Sequence, residues 1–221
     1  MGEFKATLAQ GLKLVMALIT PAVAGMILLA QPINSLIYEH GTFTALDTQV
    51  VSLVLRVQML GVLFYAIDYP LIFAFYARKD TLTPALVGVA GVGVYLLVAL
   101  VVSLFRPLNL IDLVFANDAQ WAAHALVMLA LFRRRLGGFD GHDVWPALGR
   151  VLLASALMGA CVWAALAAMQ SLALPAGLLG RVLTVGVPGA VGVVVYFFLA
   201  ARLRIAEVSL AVELIRKRLR V

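Results

Sequence analysis

Apolar residues run on almost without a break for long stretches of this chain, and short polar connections separate the stretches. Charge-free runs cover residues 14–38, 81–105, 151–180 and 182–201. Each reaches the roughly 20 residues that carry an α-helix across a hydrocarbon core. A fifth run, 48–77, is equally apolar but holds Arg56 and Asp68; a sixth, 113–132, is broken up by Asn117, Asp118, Gln120 and His124. The pattern predicts an all-α integral membrane chain with about six transmembrane helices.

Composition agrees, with 64% hydrophobic and only 13% charged residues, a balance that leaves too little charge to cover the surface of a water-soluble domain. The charges that remain are ordered. With six spans and Met1 inside, fourteen basic residues fall on inside connections, Arg106 and Arg181 fall outside, and Arg56 stays within a span. Lys and Arg concentrate on cytoplasmic loops, so both termini are expected in the cytoplasm. The same bookkeeping retains the weak 113–132 span, because without it Arg133, Arg134 and Arg135 would move outside. A net charge of +6 could indicate nucleic acid, but these bases border membrane spans and no nucleic-acid motif surrounds them, so no nucleic-acid partner is expected.

The reading divides the chain into four transmembrane helices over 1–136, a cytoplasmic linker over 137–149 containing Gly137, Gly138 and Gly141, and two final transmembrane helices over 150–201. A basic amphipathic cytoplasmic tail follows over 202–221. Residues 2–13 read as a short amphipathic lead-in. Pro21 and Pro32 lie inside the first span, where each frees a backbone carbonyl that a neighbour or water must satisfy. The second span is expected to start at Asp47 or Thr48, and Asp80 or Thr81 to cap the third, with Pro84 in its first turn. Gly88, Gly91 and Gly93 on that third span suit close helix packing.

Ionisable groups within a bilayer cost about 2.5 to 3.5 kcal/mol each on insertion scales, which makes Arg56 and Asp68 functional candidates. Twelve positions apart on one helix, they are separated by about 18 Å and face different ways, so each needs its own partner. Arg56 could also snorkel to the outer interface. His124 reads as part of a polar, interfacial helix end rather than as a proton relay, although it remains a candidate intramembrane polar residue. No histidine pair has metal-ligand spacing, no nucleophile elbow or phosphate loop occurs, and neither a cofactor nor an enzyme is indicated. Transport or lipid handling is left.

Two segments are more specific. Pro32-Ile33 leads to Tyr38-Glu39-His40-Gly41-Thr42-Phe43-Thr44 and Asp47-Thr48; later comes Ala74-Phe75-Tyr76-Ala77-Arg78-Lys79-Asp80-Thr81-Leu82-Thr83-Pro84. In order and position they resemble the C-terminal lobe of the MurJ/MviN lipid II flippases, fourteen-span carriers of the multidrug/oligosaccharidyl-lipid/polysaccharide exporter superfamily. The resemblance implies that the six spans are the last six. It implies a bacterial inner-membrane flippase for the undecaprenyl-pyrophosphate-linked peptidoglycan precursor, working by alternating access with an N-terminal part that this chain lacks. The cavity arginines of the family lie upstream of this chain, which is therefore expected to be a fragment, inactive alone. The final two spans would form a groove for the lipid tail. Glu39, Gly41, Asp47, Asp80, Thr81 and Pro84 would shape turns and caps. An exporter of another polyprenyl-linked oligosaccharide, a drug/cation antiporter of the same superfamily, and a non-transporting membrane assembly subunit are the alternatives.

Overall fold

The structure, a computed structural model, describes residues 2–139, 141–172, 175 and 177–208. Six long helices follow one another: α1 (Gly2–Tyr38), α2 (Ala45–Ala77), α3 (Leu82–Ser103), α4 (Leu110–Leu136), α5 (Val144–Ser171) and α6 (Leu178–Arg202). Five of them, all but α4, are long and apolar enough to cross a membrane. The chain is a multi-pass, all-α membrane protein.

Several boundaries differ from the sequence reading. The amphipathic lead-in is not a separate element, because α1 runs unbroken from Gly2. Helix α2 begins at Ala45 instead of Asp47 or Thr48. Thr44 and Asp47 explain the earlier start: the Thr44 N–H donates to Asp47 Oδ2 at 2.8 Å and the Asp47 N–H donates to Thr44 Oγ1 at 3.3 Å, a reciprocal cap. Helix α5 begins at Val144, inside the stretch read as a linker over 137–149. The expected tail lies outside the described residues from 209 onward. Its first part packs down, with Ile205 and Val208 buried among Val151, Met158 and Tyr196.

The chain gathers into two compact units, Met1–Met16 with Val57–Pro146, and Ala17–Arg56 with Ala147–Val221. In the first, α3 packs along α4. Helix α3 buries Pro84, Val87 and Gly91 and leaves Leu86, Val89, Leu96 and Leu100 exposed. Exposed leucine and valine on a membrane helix meet lipid tails as apolar as themselves, so this face needs no protein cover.

Helix α4 is the exception in composition, and its ends are heavily specified. Asn109 and Asp112 form a capping box at its start, and Arg106 grips the Asp112 carboxylate with both terminal nitrogens, at 2.8 and 2.5 Å. At its end Gly137 adopts a left-handed φ of +74°, where a side chain would be strained, and its N–H closes on the Arg133 carbonyl. Of the polar residues that weaken α4 as a span, Asp118 and His124 are buried and Asn117 and Gln120 partly buried; Asp112, in the first turn, is buried too.

In the second unit, Val151, Ala154, Met158 and Val162 of α5 meet Tyr196 and Ala200 of α6 and Ala17 and Leu29 of α1. Close approach is possible because Gly192 presents no side chain; a Cβ there would lie 2.8 Å from Val162 Cγ2.

Candidate functional site

Three helices of the first unit build a polar site around His124. Helix α2 presents Asp68, which has no exposed surface, and α4 presents His124, 7% exposed; His124 Nδ1 lies 2.7 Å from Asp68 Oδ2. The other ring nitrogen, Nε2, lies 3.4 Å from the carbonyl oxygen of Pro84 in the first turn of α3. Space for the imidazole comes from glycine. The positions a Cβ would take at Gly88 and Gly91 are 3.9 Å from the His124 ring, and at Gly91 also 3.3 Å from Gln120 Cγ. Trp121 stands beside the ring and meets Tyr65 of α2 edge-on, with centroids 4.7 Å apart.

A second buried acid sits one level away. Asp118 of α4 covers Gly61 of α2 so closely that a Cβ on Gly61 would lie 2.6 Å from Asp118 Cγ and 3.3 Å from its Cα. Gly61 precedes Asp68 by two helical turns, about 10 Å, on the same face of α2. Neither oxygen of Asp118 has a hydrogen-bond partner among the described residues. Two carboxylates removed from water, one paired and one not, are a costly arrangement in a chain with few charges.

The second unit holds a polar vestibule and an apolar groove. The vestibule, about 660 Å³, reaches from Glu39 and Thr48 down to Arg56, with Gln31, Gln49 and Gln170 on its walls. Arg56 lines the vestibule, and its Nε donates to the Ile27 carbonyl of α1 at 3.2 Å. At the mouth, Arg181 donates through Nη1 to the carbonyls of Ser35 and Glu39, each at 2.7 Å, and through Nη2 to Glu39 Oε1 at 3.2 Å. Thr48 Oγ1 donates to the other Glu39 oxygen at 2.9 Å. Deeper, Asn34 Nδ2 donates to Ser52 Oγ, which donates to the Ala30 carbonyl. The groove, about 390 Å³, runs between Leu18, Pro21 and Met26 of α1, Met158 of α5, and Gly189 and Val193 of α6.

The structure thus brings two of the sequence candidates, Asp68 and His124, into one site and leaves Arg56 in another. The reading of His124 as an interfacial helix end does not hold, because the residue is mid-helix, buried and paired. Among the motif residues, Gly41 takes a φ of +63° in the α1–α2 turn. Asp80 receives the Thr83 N–H and hydroxyl at 3.0 and 2.7 Å, whereas Thr81, at the N-cap, makes no side-chain cap bond. Arg135 at the end of α4 donates to both Asp80 and Thr83, at 3.0 Å each. Pro84 does more than start a helix, since its carbonyl faces His124. Sequence reasoning passed over Asp118, Gly61 and Arg181 as functional or organising residues. The spacing of Gly61 and Asp68 on one helical face was the available signal.

With these geometries in view, comparison with known proteins is direct. The family model described as lipid II flippase MurJ matches residues 1–183. A relative from Rhizobium meliloti (strain 1021), named "Probable lipid II flippase MurJ", is 32% identical over 148 residues, covering 66% of this chain and 27% of the relative. One of the same name from Haemophilus influenzae is 30% identical over 169 residues, covering 73% of this chain and 31% of the relative. A third, from Bdellovibrio bacteriovorus, is 26% identical over 207 residues, 94% of this chain and 38% of the relative. The chain therefore spans between about a quarter and two-fifths of the length of these relatives. On the strength of a match over most of its length, this chain belongs to the lipid II flippase MurJ family.

Proposed function

We propose that this chain serves as the C-terminal part of a bacterial lipid II flippase. The whole carrier would move the undecaprenyl-pyrophosphate-linked peptidoglycan precursor from the inner to the outer leaflet of the cell membrane by alternating access. The family match over residues 1–183 carries this reading. No covalent bond is made or broken in such a task; the carrier needs a cationic place for the pyrophosphate and an apolar path for the polyprenyl tail. The pyrophosphate would be held by arginines in the rest of the carrier. The tail would lie in the groove between α1, α5 and α6, whose walls are apolar apart from the Tyr196 ring edge. Lipid already solvates a polyprenyl tail, so the groove would select it by shape and close contact rather than by dehydration.

The motif residues would set the geometry of the connections. Glu39 and Asp47 would organise the α1–α2 turn around Gly41, and Asp80, Thr81 and Pro84 the α2–α3 hairpin. Both termini would be cytoplasmic, in keeping with the clustering of Lys5 beside Gly137 and of Arg135 beside Asp80 within the first unit.

The test is a chimera in which this chain replaces the corresponding part of a related flippase, expressed in cells depleted of their own. Growth and lipid II translocation are expected, and V193W, which fills the groove, should reduce translocation without reducing the amount of protein in the membrane. A chimera that inserts and accumulates normally but translocates nothing would overturn the reading.

A further inference from the structure

We propose that the vestibule of the second unit is a binding site for a small phosphate ester, with Arg56 at its floor. The inference starts from how the arginines are paired. Arg106 has Asp112 as a carboxylate partner, Arg135 has Asp80 and Arg181 has Glu39, and all three arginines lie at or beside a helix end. Arg56 is the reverse case. It stands well inside α2, about 16 Å from the start of that helix, and makes no ion pair among the described residues. Its Nε is held by the Ile27 carbonyl, which orients the side chain without neutralising it. Nη1 and Nη2, the edge of a guanidinium that grips an oxyanion in a bidentate pair, have no hydrogen-bond partner among the described residues. A cation this far into a span is costly until an anion reaches it.

The walls define which anion fits. Ile27, Gln31 and Ser35 follow one another at four-residue spacing along one face of α1, and Glu39 continues the series just past its end. On α2, Gln49 stands two turns, about 10 Å, from Arg56 on the same face, and α5 adds Gln170. Three of the chain's six glutamines thus line one cavity, in a chain where polar residues are scarce. Glu39 is the one acid on the lining among the described residues, and its oxygens are engaged by Arg181 and Thr48, so it does not cancel the charge of Arg56.

A phosphate ester satisfies both parts of this cavity. With two oxygens on the guanidinium, a phosphate keeps a third for an amide N–H, whereas a carboxylate has both oxygens engaged. The ester body then extends from Arg56 toward the mouth, where glutamine amides, each a donor and an acceptor, suit hydroxyl groups. The volume, about 660 Å³, is that of a small-molecule site. Such a phosphate has two sources. A soluble ester would enter by the mouth beside Arg181; a phospholipid headgroup would enter past Trp163, which lines the vestibule and is 64% exposed. The inference concerns this vestibule and stands whether or not the whole carrier moves lipid II.

Trp163 provides the readout. The full chain carrying W121F and W145F keeps Trp163 as its single tryptophan, and dodecyl maltoside supplies a medium free of phosphate. Glycerol 3-phosphate and phosphatidylglycerol are the two probes, each titrated at an ionic strength held with sodium chloride. A saturable change in Trp163 emission with glycerol 3-phosphate assigns the site to a soluble ester; a change with phosphatidylglycerol alone assigns it to a lipid headgroup. Whichever probe binds, R56Q should weaken it at least about tenfold, the loss of a charge-assisted pair. Should R56Q fail to accumulate, Q49E decides, because Gln49 is exposed and the substitution sets a carboxylate against the ligand; it too should weaken binding. Emission that neither probe moves, or binding that is unchanged in these variants, overturns the proposal.

Discussion

The hydroxyl of Tyr196 donates a hydrogen bond to the carbonyl of Ala17, the oxygen that Pro21, lacking an N–H, leaves without its helical partner. A kink residue on α1 is thereby matched by a phenol on α6. Tyr196 is 5% exposed, and in a bilayer there is no water to take over the bond. Y196F should therefore lower stability by about 1–3 kcal/mol, because it strands a buried acceptor. P21A restores a backbone donor to that carbonyl, so Y196F should cost measurably less in a P21A background. A double-mutant cycle followed by unfolding in detergent checks this; equal costs in the two backgrounds would count against it.

Gly61 is the second sharp constraint. G61A places a methyl group against the Asp118 carboxyl and should destabilise the first unit by about 1–3 kcal/mol, the usual penalty for overpacking. D118A removes the Cγ and both oxygens but leaves the Cα at 3.3 Å, so the double variant should recover part of the loss and not all of it. Thermal unfolding of the three variants separates these outcomes.

Asp80 predicts a pH dependence at the α2–α3 hairpin. The Thr83 N–H, the Thr83 hydroxyl and, further, Arg135 hold its carboxyl below the usual carboxylate range. A carboxyl depressed in the folded state helps the fold while ionised, so its contribution is complete above the ordinary value near about 4 and fades as the pH falls through the lower folded value. The stability difference between the unsubstituted chain and D80N should accordingly be constant at neutral pH and shrink in acid. A difference that grows on acidification would contradict the sign.

Arg181 ties three acceptors together with one guanidinium, and the planar fork is what lets it reach two carbonyls and a carboxylate at once. R181K should not rescue R181A: both variants are expected to loosen the α1–α2 turn, with a cost of about 1–2 kcal/mol. Faster amide exchange around Glu39 to Thr44 in R181K would show it, and protection equal to that of the unsubstituted chain would refute it.

Orientation can be read in a C161A background. A membrane-impermeant thiol reagent added to intact spheroplasts should label H40C, in the α1–α2 turn, and leave K79C, in the α2–α3 turn, unlabelled until the membrane is opened. The reverse pattern would invert the topology drawn from the basic residues.

The sequence by itself determined the solvent, the number of long helices and the family. Long charge-free runs can only be satisfied in lipid, and the polar connections around Glu39 to Asp47 and Arg78 to Pro84 carry the family pattern. It also marked Asp68 as exceptional, since the cost of an intramembrane acid is a local quantity that one residue and its flanks reveal. It showed that Pro21 would free a carbonyl, but not that Tyr196 would answer it. Pairing was decided by tertiary structure alone. Asp68 meets His124, Arg56 meets Ile27 and Asp118 covers Gly61 only because each helix is turned to a particular face. In a water-soluble helix, amphipathic periodicity announces that face; here α2 and α3 present apolar side chains to lipid and to protein alike, so the sequence carries little record of their rotation. For the same reason α4 looked like a poor span. Its polar residues weaken a sum taken along the chain, and only the packed structure turns Asp118 and His124 inward, where they can be used.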